Sequence, residues 1–121
     1  MSFRSSSRRI RRSWRWVLAL ALLPGVALAH VRLLASVPAQ DASLSDAPTL
    51  ALLRFSEPPE AEFARAAWSD GKRWHALQVG VSGDSLRSAL PRFGPGAYAL
   101  RWRVLSRDGH VQQGVIRFRV R

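Results

Sequence analysis

From residue 97 to 105 apolar and polar side chains alternate along the chain. Tyr98, Leu100, Trp102 and Val104 fall on one side of a period of two, and Ala99, Arg101 and Arg103 fall on the other. Successive side chains of a strand point to opposite faces, so this stretch predicts a half-buried β-strand. The alternation returns in residues 111–120, where Ile116, Phe118 and Val120 face one way and Arg117 and Arg119 the other. Between the two runs Asp108-Gly109 breaks the pattern, because glycine accepts the positive φ that a tight turn requires. Shorter runs precede them. Residues 31–36 read as a strand that Pro38 stops, and 39–48 as a loop. Residues 49–56 read as a strand with Ala51, Leu53 and Phe55 on one face. Glu57-Pro58-Pro59-Glu60 ends it, since proline cannot donate to a ladder. Residues 63–68 and 73–79 read as two strands joined by Ser69-Asp70-Gly71-Lys72, a hairpin-type turn. Residues 80–83 read as another turn, 84–90 as a strand and 92–96 as a loop. These are about seven short strands with turn signals every 8–12 residues and no amphipathic helix. That pattern predicts an all-β fold, a small Ig-like antiparallel sandwich. Phe55, Trp68, Tyr98, Trp102 and Phe118 are the expected core aromatics.

The first 29 residues are of another kind. Residues 1–15 carry six arginines and no acid, residues 16–23 are uniformly apolar, Pro24-Gly25 interrupts them, and Ala27-Leu28-Ala29 is an A-x-A cleavage site. This order predicts a secretory signal peptide over 1–29, removed to leave a single domain of residues 30–121. A spanning helix wants about 20 apolar residues, more than the interrupted stretch 16–29 supplies, so no stable membrane insertion is expected after cleavage. The cut also changes the meaning of the charge. The whole chain is formally +11, a value that suggests a nucleic-acid binder. Residues 30–121 hold thirteen basic and eight acidic residues, a net of +5. Those arginines look scattered along the sequence rather than gathered in a patch, and no nucleic-acid partner is expected.

Cleavage after Ala29 makes His30 the first residue of the exported chain. A terminal histidine offers its α-amine and its imidazole as a chelating pair. The free amine has a pKa of about 7.7–8.0, so a metal can displace its proton near neutrality. Asp108 and His110, two residues apart on a turn that a hydrophobic strand supports, are the other metal-capable pair. The chain has no cysteine, and its one methionine is Met1, so thiolate and thioether sites are excluded from the exported part.

Three stretches carry a family resemblance. They are His30-Val31-Arg32-Leu33 with Ser36-Val37-Pro38-Ala39, then Leu53-Arg54-Phe55-Ser56-Glu57-Pro58, and then Tyr98, Trp102-Arg103-Val104-Leu105-Ser106-Arg107-Asp108-Gly109-His110, Gly114 and Phe118-Arg119-Val120. In order and spacing they resemble the CopC family of periplasmic copper-binding proteins, over essentially all of residues 30–121. The resemblance implies a Greek-key β-sandwich or barrel and a periplasmic location. It implies one Cu(II) held by the amine and ring of His30 and by Asp108 and His110. It also implies a role in copper sequestration, transport or resistance, with a CopD-like inner-membrane copper transport protein as the partner. The donor chemistry agrees, because nitrogen and carboxylate oxygen in a tetragonal set suit Cu(II). Glu57 sits where the family has an acid near the site. The chain departs from the family's Met-rich members, so no dedicated Cu(I) site is expected. His75, the third histidine, has nothing in the sequence to pair it with the other two. The alternative is a copper-dependent oxidative enzyme built on an N-terminal His chelate. Asp108 as a further ligand would close the position that oxygen chemistry needs open, so a non-enzymatic binding protein is the expected function.

Overall fold

The computed structural model describes residues 31–121 together with Ser2; the remainder of the expected signal peptide and His30 lie outside the described residues. Nine strands form two sheets: β1 (Leu33–Val37), β2 (Ala42–Leu44), β3 (Leu50–Phe55), β4 (Arg65–Ser69), β5 (Trp74–Leu77), β6 (Gly80–Ser82), β7 (Ser85–Ala89), β8 (Gly96–Leu105) and β9 (Val111–Val120). One sheet has the order β1-β3-β7-β6 and the other β2-β9-β8-β4-β5. The chain passes from sheet to sheet after β1, β2, β3, β5 and β7, and only the hairpins β4–β5, β6–β7 and β8–β9 stay within a sheet. This is the all-β sandwich that the alternating pattern predicts. Among the described residues no helix is long and apolar enough to cross a membrane.

Alternation decides what is buried. Ala51, Leu53 and Phe55 of β3 and Leu86 of β7 meet Leu100, Trp102, Val104, Ile116, Phe118 and Val120 of β8 and β9. The ring of Phe55 meets that of Trp102 edge-on, with centroids 5.2 Å apart. At the opposite end of the core Phe93 stacks on Tyr98 at 4.4 Å and lies edge-on to Trp68 at 5.1 Å. Opposite Trp102 on β9 stands Gly114, where an added Cβ would lie 2.7 Å from the indole. The glycine is what lets that indole lie against the neighbouring backbone.

Several elements differ from the sequence pattern. The expected loop 39–48 contains β2, which pairs in parallel with the end of β9. The expected turn 80–83 is mostly β6, paired with β7, and its sharp bend is at Gly83, with φ +57°. The strand expected from residue 63 begins at Arg65, and Ala61–Phe63 is a single 3-10 turn with Phe63 exposed. Phe93 lies in the expected loop, and its ring is buried in the core.

Candidate metal centre

The hairpin β8–β9 runs in register from Gly96 opposite Val120 to Leu105 opposite Val111. Residues 106–110 close it. The Gly109 N–H donates to the Ser106 carbonyl at 3.0 Å, and the Ser106 N–H donates to the His110 carbonyl at 2.9 Å. Gly109 has φ +86°, a left-handed conformation that side-chain-bearing residues rarely adopt. The turn brings Asp108 and His110 together. His110 Nδ1 lies 3.0 Å from Asp108 Oδ2, and both side chains remain partly open to solvent.

Ser106 organises this pair from below. It is 1% exposed, and its hydroxyl donates to Asp108 Oδ1 while its oxygen accepts the His110 N–H at 3.1 Å. The Ser106 hydroxyl is the main reason the Asp108 carboxyl is held below the usual carboxylate range. Burial opposes that shift, and hydrogen bonds and charge from His110 add to it. The carboxylate is therefore ionised at neutral pH and into mild acid.

The remainder of this end of the sandwich is built from the first strands. Phe55 ends β3 beside Leu33, the start of β1. The Arg32 N–H donates to Ser56 Oγ and the Ser56 N–H to the Arg32 carbonyl, each at 2.8 Å, while Val31 is buried in the core. The connection out of β3 then crosses to the other sheet, where the Glu60 N–H donates to the Leu105 carbonyl at 2.9 Å. Val31, Arg32 and the Asp108–His110 turn thus occupy the same end of the molecule. Glu57, half-buried on that connection, belongs to this end too.

Of the residues singled out in the sequence, the structure brings Asp108 and His110 together. His30 lies outside the described residues. His75 is elsewhere: it stacks on Trp68 at 4.3 Å, and Trp68 pairs with Leu100, five residues before the end of β8. At about 3.4 Å per residue that is some 17 Å from the turn. Among the described residues no group of three or more His, Cys, Asp or Glu is gathered for a metal, and Asp108 and His110 stand as a pair. Ser106 is the residue that sequence reasoning missed. Its position two before Asp108 was visible, but a serine at the end of a strand reads as ordinary turn chemistry.

Fold and turn together define a small two-sheet β-sandwich that displays a carboxylate–imidazole pair on one hairpin tip. A family model, the CopC domain, matches residues 33–121, and the chain belongs to the CopC family. The chain is 30% identical to the copper transport protein CutJ of Bacillus subtilis, with 91% of this chain aligned but only 22% of CutJ, so it spans about a fifth of that relative. It is also 30% identical to protein YobA of Escherichia coli K12, covering 96% of YobA. Among solved structures, CopC from Methylosinus trichosporium OB3b superposes with a TM-score of 0.66 at 27% identity, over 75% of this chain and 93% of that one. PcoC, a methionine-rich copper resistance protein from Escherichia coli, superposes with a TM-score of 0.64 at 26% identity, over 77% of this chain and all of PcoC. A copper-related function follows from the family, whose members bind or transport copper rather than catalyse reactions.

Proposed function

We propose that the protein is a periplasmic Cu(II) carrier that holds one ion through His30, Asp108 and His110. The observation that carries this reading is the Asp108–His110 pair, fixed on a hairpin tip at the same end of the sandwich as Val31 and Arg32. Val31 is anchored in the core there, and it follows His30 directly in the sequence. With 1–29 removed, His30 contributes its amine and ring. The four donors are then three nitrogens and a carboxylate oxygen, the tetragonal set that Cu(II) favours. Methionine and cysteine are absent after Met1, so the site prefers Cu(II) over Cu(I). Loading and release, without chemistry on a substrate, fit sequestration or delivery to a CopD-like inner-membrane copper transport protein.

The decisive experiment alters only the chain end. Any residue placed before His30 converts its amine to an amide, which is far less basic and offers no lone pair near neutrality. A chain beginning Met-His30 should fold as the His30 form does, yet bind Cu(II) at least tenfold more weakly, roughly the loss of one good ligand contact. Competition with a Cu(II) chelator and copper spectroscopy at matched pH read the difference. Identical spectra and affinities would remove the amine from the site and refute the assignment of His30.

A further inference from the structure

The basic residues of the domain are not scattered as the sequence order suggests. On β8 Ala97, Ala99, Arg101 and Arg103 alternate with the core-facing Tyr98, Leu100, Trp102 and Val104, so they share the outer face of the five-stranded sheet, where Ala99 is itself covered. Register adds the neighbours: Arg119 pairs with Ala97, Arg117 with Ala99, Val115 with Arg101, and Arg65 of β4 with Arg103. Each step of two residues along β8 therefore carries at least one arginine, four steps in succession. At about 3.4 Å per residue the row is roughly 20 Å long. All five arginines are exposed, and among the described residues none is in an ion pair with a carboxylate. Of the acids nearby, Asp41 and Asp70 stand with Arg117 and Arg119 around a groove at the far end of the row, and Glu62 lies beside Arg65, whose guanidinium donates to the Glu62 and Ala64 carbonyls at 2.9 and 2.8 Å. Between the cations lie exposed apolar side chains. Trp74 is 39% exposed with the Arg101 guanidinium 4.5 Å from its ring, and Val111 and Val115 are more than 40% exposed.

We propose that this face adsorbs the protein onto an anionic phospholipid membrane, with Arg65, Arg101, Arg103, Arg117 and Arg119 taking headgroup phosphates. Guanidinium is the side chain best shaped for phosphate, which it meets with two parallel N–H donors. An open sheet with a cation at every step matches a continuous layer of phosphates, whereas an acidic protein would present its charges at a few fixed points. Trp74 and the valines suit the same surface, because tryptophan settles at the headgroup level and small apolar side chains lose water there. Adsorbed in this way, the strands lie along the membrane and the Asp108–His110 tip stands at the rim of the contact, open to the side. The proposal does not depend on copper, and its test is run on metal-free protein.

The test uses the protein recovered from the cell envelope after export, stripped of metal with a chelator and with its mass recorded. Sedimentation with vesicles measures its partition onto phosphatidylglycerol–phosphatidylcholine mixtures and onto phosphatidylcholine alone. Each arginine near an anionic surface is worth about a fivefold change in partition, so anionic vesicles should be favoured by roughly 100-fold or more at low salt. The preference should collapse at about 0.5 M salt, where the Debye length falls below 5 Å. Arg103→Gln with Arg117→Gln should cost about 30-fold. Arg54→Gln with Arg87→Gln, the same charge loss on the outer face of the other sheet, should cost less than about threefold. His110→Ala should leave partition unchanged. Equal losses in the two double variants would reduce the effect to net charge and overturn the proposal. So would equal binding to neutral vesicles, or tighter binding to soluble polyglutamate or duplex DNA than to the anionic vesicles.

Discussion

Gly109 offers the sharpest test of how the turn works. Its φ of +86° lies where an L side chain clashes with its own backbone, yet nothing stands within 4 Å of an added Cβ. Gly109→Ala is thus a conformational perturbation with no packing component. A left-handed conformation costs a non-glycine residue about 1–2 kcal/mol, and folding stability should drop by that amount in urea denaturation. The same strain should reach the metal. If the alanine variant relieves it by opening the turn, the binding-competent turn is populated only as that penalty allows. Apparent Cu(II) affinity then falls by up to about 5–30-fold in place of the stability loss, because apparent affinity scales with the competent fraction and the two losses together make up the one penalty. Asparagine tolerates the left-handed region better than alanine, so Gly109→Asn should recover about half or more of both losses. Urea melts and chelator competition on the three proteins give all the numbers needed. An alanine variant as stable and as tight as the parent, or an asparagine variant no better than alanine, would show that the left-handed turn does not hold Asp108 and His110 in place.

Other substitutions separate packing, ligation and protonation. Gly114→Ala puts a Cβ against the Trp102 indole and should cost about 1–3 kcal/mol in a urea melt, a loss that asparagine at this position would deepen rather than rescue. His110→Ala should lower Cu(II) affinity at least tenfold while His75→Ala, stacked on Trp68 far from the turn, should change it less than about twofold; chelator competition that ranks the two equally would sink the assignment. Cu(II) affinity should fall as pH drops from about 8 to 5, since protons compete for the amine and imidazoles, whose ordinary pKa values are about 8 and 6.5. The Asp108 carboxyl is held below the usual range, mainly by Ser106, so it stays ionised through that window and adds nothing to the slope. A further steepening of that fall between about pH 5 and 4, followed by isothermal titration, would contradict this.

What the sequence disclosed depended on whether an element declares itself locally. The strands β8 and β9 did, because period-two alternation runs unbroken through each and buries Trp102, Ile116 and Phe118 as the pattern requires. So did β3. Three-residue β2 did not: Ala-Ser-Leu has no period to read, and its partner is the far end of the chain. The glycine that opens β6 reads as a turn until its pairing with β7 is seen. Phe93 sits among proline and glycine, which mark a loop correctly but say nothing of a ring reaching back to Tyr98 and Trp68. Asp108 and His110 were legible because two ligand types two residues apart on a turn are a local signal. Their support from Ser106, and the gathering of five arginines on one face, follow from burial and register across three strands, which no window of the sequence contains.

One hairpin thus bears three kinds of side chain without mixing them. The inward positions of β8 and β9 supply core, the outward positions supply the arginines, and the tip supplies the carboxylate and the imidazole. The separation is physical. The tip is fixed by backbone hydrogen bonds within residues 106–110 and by the Glu60 N–H on Leu105, none of which involves an outward side chain. The outward arginines stand on a ladder whose register is set by inward packing, with the Trp102 indole seated against Gly114. Changes at Arg101 or Arg117 therefore leave the tip geometry untouched, and changes at Gly109 leave the outer face untouched. Sites that share no partner contribute additively, within about 0.3–0.5 kcal/mol. Arg103 and Arg65 are the closest of the five to the tip, lining one groove with Leu105 and Val111, so any coupling between surface and site must pass through that pair.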